Sequence, residues 1–277
     1  MATNKRIKLQ REFLKTINEV NDQNIESKLQ NISQINHPKK LYRYRRLNGY
    51  ALEEIIKSYV YLASPNQFDD IFDSKCTIFE GEIGGALGAY KLLKDLSDRV
   101  EGIGDDYKYY EREFVTINKL ADERLRIACF TENNKIIPMW YYYADMHRGI
   151  CIEYDFSDFR FEPKDILLPV LYPGREINGY YSTSLRQGYE NVTLVRNSLI
   201  KNLSWKFEKE WRMVYLEPNP PYRNVKISKI FFGINTPEVD KRNIVDLVNT
   251  YGLHIDLYEM KLDGIELVSK KMKGRVK

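Results

Sequence analysis

Short apolar segments with strand-like composition alternate with helical patterns over most of the chain, and this alternation limits the possible folds more than any single motif does. Strands are predicted over residues 41–46, 59–63, 125–131, 149–154, 166–172, 225–232 and 254–260. The last predicted helix begins at Thr236-Pro237-Glu238 and ends at Gly252, so residues 225–260 are predicted to form a βαβ unit. The order of elements predicts an α+β (mixed α/β) fold, in which helices flank a central mixed β-sheet.

The first 40 residues have a different pattern from the rest of the chain. Apolar residues at helical spacing, among them Leu9 and Phe13, extend to about residue 35 and are interrupted by the polar segment at residues 21–24. We therefore expect an N-terminal helical arm over residues 1–40, followed by one domain over residues 41–277. A helical insertion is predicted at about residues 82–124, because two charged helical patterns follow a glycine-rich stretch there.

Charge and cysteine usage narrow the class of protein. The chain has 277 residues, with 43 basic and 39 acidic side chains spread along it, so its net charge of +4 neither requires nor excludes a nucleic-acid partner. Its three cysteines have no CxxC spacing, which argues against a disulfide framework or a zinc cluster. The N-terminus is polar and no apolar run approaches the roughly 20 residues of a membrane helix. We expect a cytoplasmic protein without membrane association.

Two glutamates and an arginine alternate within residues 205–215, which are predicted to form one strand. Side chains alternate between the two faces of a strand, so Glu208, Glu210 and Arg212 would share a face, with the two carboxylates about 7 Å apart. This arrangement is compatible with an active site. It is equally compatible with a row of salt bridges on a half-exposed strand, which would contribute little to stability.

Several short motifs occur in an order that resembles the bacterial family known as domain of unknown function 2971. The motifs are Leu41-Tyr42-Arg43-Tyr44-Arg45, the loop from Ser64-Pro65 to Phe68-Asp69-Asp70, Cys129-Phe130-Thr131, Met139-Trp140 to Tyr143-Ala144, His147-Arg148-Gly149, Glu208-x-Glu210-x-Arg212 and Phe231-Phe232-Gly233. The resemblance spans residues 41 to about 262. The loop departs from the family pattern, because Asp69-Asp70-Ile71 stands where Asn-Asp-Pro is usual. The resemblance implies boundaries and candidate residues but no activity.

A second resemblance concerns the order of an arginine, a hydroxyl residue and a glutamate on three strands, which is similar to that of ADP-ribosyltransferases. It implies NAD as a substrate, with Glu210 as the catalytic glutamate and Glu208 orienting the nucleophile. It further implies that Arg43 holds the pyrophosphate and that Thr131 supports the ribose pocket. The Ser-Thr-Ser signature of such enzymes is absent. By this resemblance the chain would be a toxin or phage-defence effector that binds a nucleotide-like molecule and modifies a protein or nucleic-acid target.

Further residues are candidates for ligand binding. They are Tyr44, Phe68, Asp70, Trp140, Tyr143, His147 and Arg212. The aromatic side chains could stack a nicotinamide or a nucleobase, or they could simply pack a short helix against the sheet. His147 could act as a general base or phosphate ligand, or lie in a surface turn.

The acidic loop at residues 69–73 suggests an alternative function. Its aspartates, with Glu208, Glu210 and Lys206 or Lys209, could support a Mg²⁺-dependent nuclease. We favour the alternative that the loop is a turn in which Asp69 or Asp70 caps local N–H groups. We predict no metal site. A non-catalytic sensor or interaction module is the remaining hypothesis.

Overall fold

The computed structural model describes residues 2–70, 73–74, 115–173, 187–219 and 221–272. The glycine-rich stretch and most of the predicted insertion at residues 82–124 lie outside these ranges, while residues 115–124 are helical. Besides residues 115–124, the described ranges contain the helices α1 (Ala2–Glu19), α2 (Ile25–Asn36), α3 (Gly49–Lys57), α4 (Ile137–Tyr142), α5 (Glu190–Ser198) and α6 (Glu238–Thr250), and Pro65–Gln67 and Leu203–Glu208 form 3₁₀ helices. None of the helices in the described ranges is both long enough and apolar enough to span a bilayer.

Most of the strands form one large sheet. They are β1 (Lys40–Arg45), β2 (Tyr59–Tyr61), β3 (Arg126–Thr131), β4 (Ile150–Asp155), β5 (Ile166–Pro169), β6 (Glu210–Tyr215), β7 (Tyr222–Asn224), β8 (Lys226–Phe232), β9 (Asp256–Asp263) and β10 (Glu266–Lys271). In the described part of the chain, eight strands pair in the order β10-β9-β8-β4-β1-β3-β6-β5, and β2 pairs separately with β7. Helices accompany this mixed sheet, so the predicted α+β fold is confirmed.

The C-terminal unit has the predicted βαβ connection. Strands β8 and β9 are parallel, and α6 connects them. Strand β10 then returns antiparallel to β9 through a turn at Gly264, whose φ of +60° is easily adopted by glycine. The sequence pattern did not predict β10 or β7, because both are short or largely exposed and lack an apolar run.

Apolar side chains pack on both sides of the sheet. The larger cluster includes Leu9 and Phe13 of α1 together with Leu167 of β5 and Val195 of α5. The N-terminal helices therefore bury their apolar faces in the same core as the sheet, which anchors α1 against β5. A smaller cluster around Trp140 packs on other parts of the sheet.

The predicted strand over residues 205–215 begins later than expected. Leu203–Glu208 form a 3₁₀ helix, Lys209 has a left-handed φ of +48°, and β6 starts at Glu210. The Asn202 side chain accepts a hydrogen bond from the Ser204 N–H at 2.9 Å, which caps the 3₁₀ helix and competes with an extended backbone. The prediction that Glu208 shares a strand face with Glu210 is therefore wrong, although the two carboxylates still approach each other.

Candidate functional site

A cavity of about 720 Å³ lies among β1, β2, α3, the end of β3 and the start of β6. This volume is within the usual range for a small-molecule site. Eight of the predicted site residues line it: Arg43, Tyr44, Phe68, Asp70, Thr131, Tyr143, Glu208 and Glu210. The chain thus brings together residues that are separated by up to 167 positions in the sequence (210 minus 43).

Strand register explains this convergence. Strands β1, β3 and β6 are neighbours in the sheet, and Thr131 pairs with Tyr42 on one side and with Glu210 on the other. Paired residues in antiparallel strands lie side by side. The end of β3 therefore lies between the start of β6 and the middle of β1, so that only one strand separates Glu210 from Tyr42.

Glu210 is a buried, ionised carboxylate. Its Oε1 accepts a hydrogen bond from Arg212 Nε at 2.7 Å, and its Oε2 accepts from Arg212 Nη2 at 3.1 Å and from Lys201 Nζ at 3.2 Å. Burial alone would raise the pKa of Glu210, but the two cations outweigh it and lower the pKa to about 2. Glu210 therefore carries a full negative charge at neutral pH.

Glu208 is also buried at the cavity wall, but it titrates differently. Its Oε1 accepts from the Tyr143 hydroxyl and its Oε2 from Lys201 Nζ, both at 2.6 Å. Burial and the neighbouring charge of Glu210 raise the pKa of Glu208 to about 7. Two carboxylates whose pKa values are separated in this way can act as a fixed charge and as a proton acceptor.

The hydroxyl of Thr131 is already engaged. It donates a hydrogen bond to the backbone carbonyl of Glu208 at 2.5 Å, and the residue is 1 % exposed. Thr131 thereby fixes the 3₁₀ segment that carries Glu208. In this structure its hydroxyl supports the glutamate instead of facing the cavity as a free donor.

A buried cation network holds the two glutamates, and sequence patterns missed part of it. Lys201 Nζ lies 2.6 Å from Glu208, 3.2 Å from Glu210 and 3.3 Å from Asp73. Burial opposes the charge of Lys201, but Glu210 and Asp73 raise its pKa overall, so the ammonium is retained. No spacing motif marks Lys201, because it reaches the site from the segment after α5.

Arg212 lies beneath this network and has no exposed surface. Its guanidinium pairs with Glu210 and Asp73 and donates to Ser74 Oγ at 2.6 Å and to the Ser198 carbonyl at 2.7 Å. The expectation that Arg212 contacts a ligand is therefore corrected. Its position is that of a buried counter-ion behind Glu210.

Two arginines of β1 add positive charge to the cavity lining. Arg43 pairs with Glu54 of α3 at 2.8 Å and Arg45 pairs with it at 3.2 Å, so this trio has a net charge of +1. Glu54 also accepts a hydrogen bond from the Tyr154 hydroxyl. The Nε of Arg45 is buried without a hydrogen-bond partner. The family motif contains both arginines, but only Arg43 was predicted as a site residue, whereas it is Arg45 that has an unused donor.

Three tyrosines of the small β2–β7 sheet also line the cavity. Tyr222 packs against Tyr59 and Tyr61, with ring centroids 4.6 Å and 5.6 Å apart. Tyr222 remains 45 % exposed, so its ring can meet a planar ligand. The pattern of the sequence did not indicate this group, because β7 was not predicted.

Trp140 and His147 do not belong to the cavity lining. Trp140 is 0 % exposed, donates to the Asn134 carbonyl at 2.8 Å and packs edge-on against Tyr44. Its predicted stacking with a ligand is corrected to packing in the core. His147 lies in a turn with a φ of +66°, its ring is parallel to that of Trp140, and burial lowers its pKa.

The other predicted ligand residues have protein contacts at the cavity wall. The Tyr44 hydroxyl donates to the Asn133 carbonyl at 2.9 Å. The Phe68 ring lies 5.8 Å from Arg212 Cζ, and the Asp70 carbonyl accepts from the Asp73 N–H at 3.0 Å, as expected for a turn. Within the described ranges, no three His, Cys, Asp or Glu side chains are arranged to hold a metal ion.

Residues 139–213 match the family described as Protein of unknown function (DUF2971). The matched segment begins in α4 and ends in β6, and it contains Tyr143, Lys201, Glu208, Glu210 and Arg212. The match supports the resemblance indicated by the motifs within residues 139–213 and does not extend to the motifs before or after this segment. No curated protein and no solved structure matches the chain.

Proposed function

We propose that the cavity binds NAD and that the protein transfers ADP-ribose from it or cleaves it. One observation carries this proposal: an ionised glutamate and a second glutamate with a pKa of about 7 line the same cavity as the β1 arginines. The combination suits a reaction that develops positive charge on a ribose attached to an anionic pyrophosphate.

In the proposed reaction, the bond between the nicotinamide nitrogen and the ribose breaks. Its electron pair leaves with nicotinamide, which becomes neutral, and positive charge develops on the ribose. Glu210 remains ionised and fixed by Arg212, so its negative charge stabilises that developing charge without reorganisation.

Glu208 is proposed to receive a proton from the attacking group. Water or an acceptor hydroxyl forms the new bond to the ribose, and the proton passes to the Glu208 carboxylate and then to solvent. A pKa of about 7 suits this task, because the carboxylate is available at neutral pH and still binds a proton. Water gives NAD cleavage, whereas a protein or nucleic-acid hydroxyl gives transfer.

The remaining cavity provides contacts for the rest of the substrate. The Arg43–Glu54–Arg45 trio is net positive, and guanidinium groups bind phosphate oxygens well. The tyrosines around Tyr222 offer faces for a planar base. Such an enzyme would act in the bacterial cytoplasm as a toxin or phage-defence effector.

The burial of the two glutamates beside a cavity favours an enzyme over a sensor. A metal-dependent nuclease is disfavoured, because Lys201 and Arg212 already neutralise the clustered carboxylates. A divalent cation would have to displace these buried cations.

The proposal is tested by NAD consumption and by labelling of macromolecules with ADP-ribose. Glu210→Gln should reduce the rate by about 100-fold or more, because it removes the stabilising charge while preserving the shape of the side chain. The matched control is Glu153→Gln, since Glu153 is a buried strand glutamate that pairs with Lys40 and Lys229 outside the cavity. Wild-type protein that is folded but neither consumes NAD nor binds it would refute the proposal.

A further inference from the structure

Arg6 of α1 reaches the start of the strand that carries Glu210. Its Nη2 donates to the carbonyls of Glu210 and Val170, each at 2.9 Å, and its Nη1 pairs with Glu132 at 2.9 Å. These three partners lie at the start of β6 and just beyond the ends of β5 and β3. One guanidinium therefore connects three strand termini beside the candidate site.

The ladder between β5 and β6 ends at this point. The Val170 N–H still donates to the Glu210 carbonyl, but Leu171 turns away to bond with Leu199. On the other side of Glu210, Lys209 has a left-handed backbone, and the Glu210 N–H donates to the Tyr172 hydroxyl at 2.9 Å. Glu210 thus sits at a strand terminus whose backbone is held largely by side chains.

Arg6 is itself fixed in place. Its side chain is 11 % exposed, and its guanidinium lies 5.8 Å from the centre of the Tyr172 ring and 6.0 Å from that of Trp211. The Trp211 indole N–H donates to the same Glu132 oxygen that Arg6 contacts. Because α1 is anchored in the core through Leu9, the position of the guanidinium is set by the fold.

We propose that Arg6 is a positioning residue for Glu210, so that the N-terminal helix completes the active site from behind. Arg6 touches the Glu210 backbone and not the cavity, which makes it a residue that acts through Glu210. This inference deepens the proposed function and rests on it for its effect on turnover. Its effect on the Glu210 backbone can be measured whether or not NAD is the substrate.

Gln10 offers a matched control on the same helix. Its side-chain amide donates to the Val170 carbonyl at 2.8 Å, which is the same acceptor that Arg6 uses, but it makes no bond to Glu210. A general loosening of α1 would affect both variants. Loss of the contact to Glu210 would affect the Arg6 variant alone.

The experiment compares wild type, Arg6→Met, Arg6→Lys and Gln10→Ala by amide hydrogen exchange at Glu210 and by steady-state NAD turnover. Arg6→Met should speed amide exchange at Glu210 and lower kcat by about 10- to 100-fold, with KM little changed. This is the loss of rate expected when a catalytic group such as the Glu210 carboxylate is displaced by about 1 Å. The lysine of Arg6→Lys can donate to one carbonyl, so this variant should show smaller changes in exchange and in kcat than Arg6→Met. It replaces Arg6→Met in the comparison if that variant does not fold. Gln10→Ala should resemble wild type.

The outcomes separate the two claims. Glu210 exchange that is no faster in the Arg6 variants than in Gln10→Ala overturns the positioning role, whatever the activity. If exchange at Glu210 is faster in the Arg6 variants but the wild-type protein does not turn over NAD, the positioning role is supported and the proposed reaction is refuted. A parallel loss of thermal stability and activity in both Arg6→Met and Gln10→Ala would mean that α1 has only a structural role.

Discussion

Replacement of Arg212 by methionine should be among the most destabilising single changes in the described structure. Arg212 has no exposed surface, and its guanidinium pairs with the carboxylates of Glu210 and Asp73. Methionine removes the charge and all the donors, which leaves two buried carboxylates with Lys201 as their remaining cation. Breaking a buried ion pair from one side costs about 3–5 kcal/mol. For a chain of this size that corresponds to a Tm lower by about 10 °C.

The pH dependence of this loss follows from the pKa of Glu210. In the wild type the pKa is lowered from 4.5 to about 2, so Glu210 stabilises the fold above about pH 4.5 and this contribution is lost as the pH falls toward 2. Without Arg212 the buried charge is disfavoured, and protonation relieves it. The stability difference between wild type and Arg212→Met should therefore be largest near neutral pH and become smaller toward pH 4.

Urea unfolding at several pH values, followed by circular dichroism, measures both effects. The control is Arg148→Met, because Arg148 pairs with Asp145 on the surface with both side chains more than 40 % exposed. That variant should change stability by no more than about 1 kcal/mol. If Arg212→Met were as stable as this control, or if its deficit did not change with pH, the buried ion network described above would be wrong.

Two further predictions concern the proton acceptor and a close backbone contact. The rate should rise with pH through an apparent pKa near 7, as Glu208 loses its proton beside Tyr143. The pH–rate profile of Glu208→Gln should lack this rise. A rise that persists in the variant would have to be assigned to another group. Gly233→Ala should lower the free energy of unfolding by about 3 kcal/mol, because an added Cβ would lie 2.1 Å from the His147 carbonyl oxygen. The control is Gly49→Ala, whose added Cβ would have no atom within 4 Å, and its thermal stability should be unchanged or slightly higher. Equal Tm values for the two alanine variants would contradict this contact.

Hydrophobic pattern and helix-end signals were sufficient to predict most elements of the sheet. The β8–α6–β9 unit was predicted because Pro237 and Gly252 mark the ends of its helix and long apolar runs mark its strands. Strand β7 was missed, because three residues around Tyr222 give no periodicity. The error at residues 205–209 has a different cause: the Asn202 cap and the Thr131 hydroxyl, which come from tertiary context, override the strand propensity of that segment.

The sequence predicted only those residues of the candidate site that belong to short motifs. Glu208 and Glu210 were found because they alternate within a strand-like segment, and Arg43 was found through the resemblance to the residue order of ADP-ribosyltransferases. Lys201 and Arg45 were missed, since their roles depend on which strands become neighbours and not on local spacing. The domain boundary at residue 40 stays a prediction, although the helices before it share the core of the sheet.

A crystal structure with NAD or a non-hydrolysable analogue bound would decide whether the cavity beside the two glutamates is an NAD site. We predict density in the 720 Å³ cavity, with the nicotinamide ribose within hydrogen-bond distance of Glu210 and the phosphates near Arg45. We also predict that the Arg212–Glu210 pair is unchanged by binding. An empty cavity at saturating ligand, or a ligand bound away from Glu208 and Glu210, would contradict it.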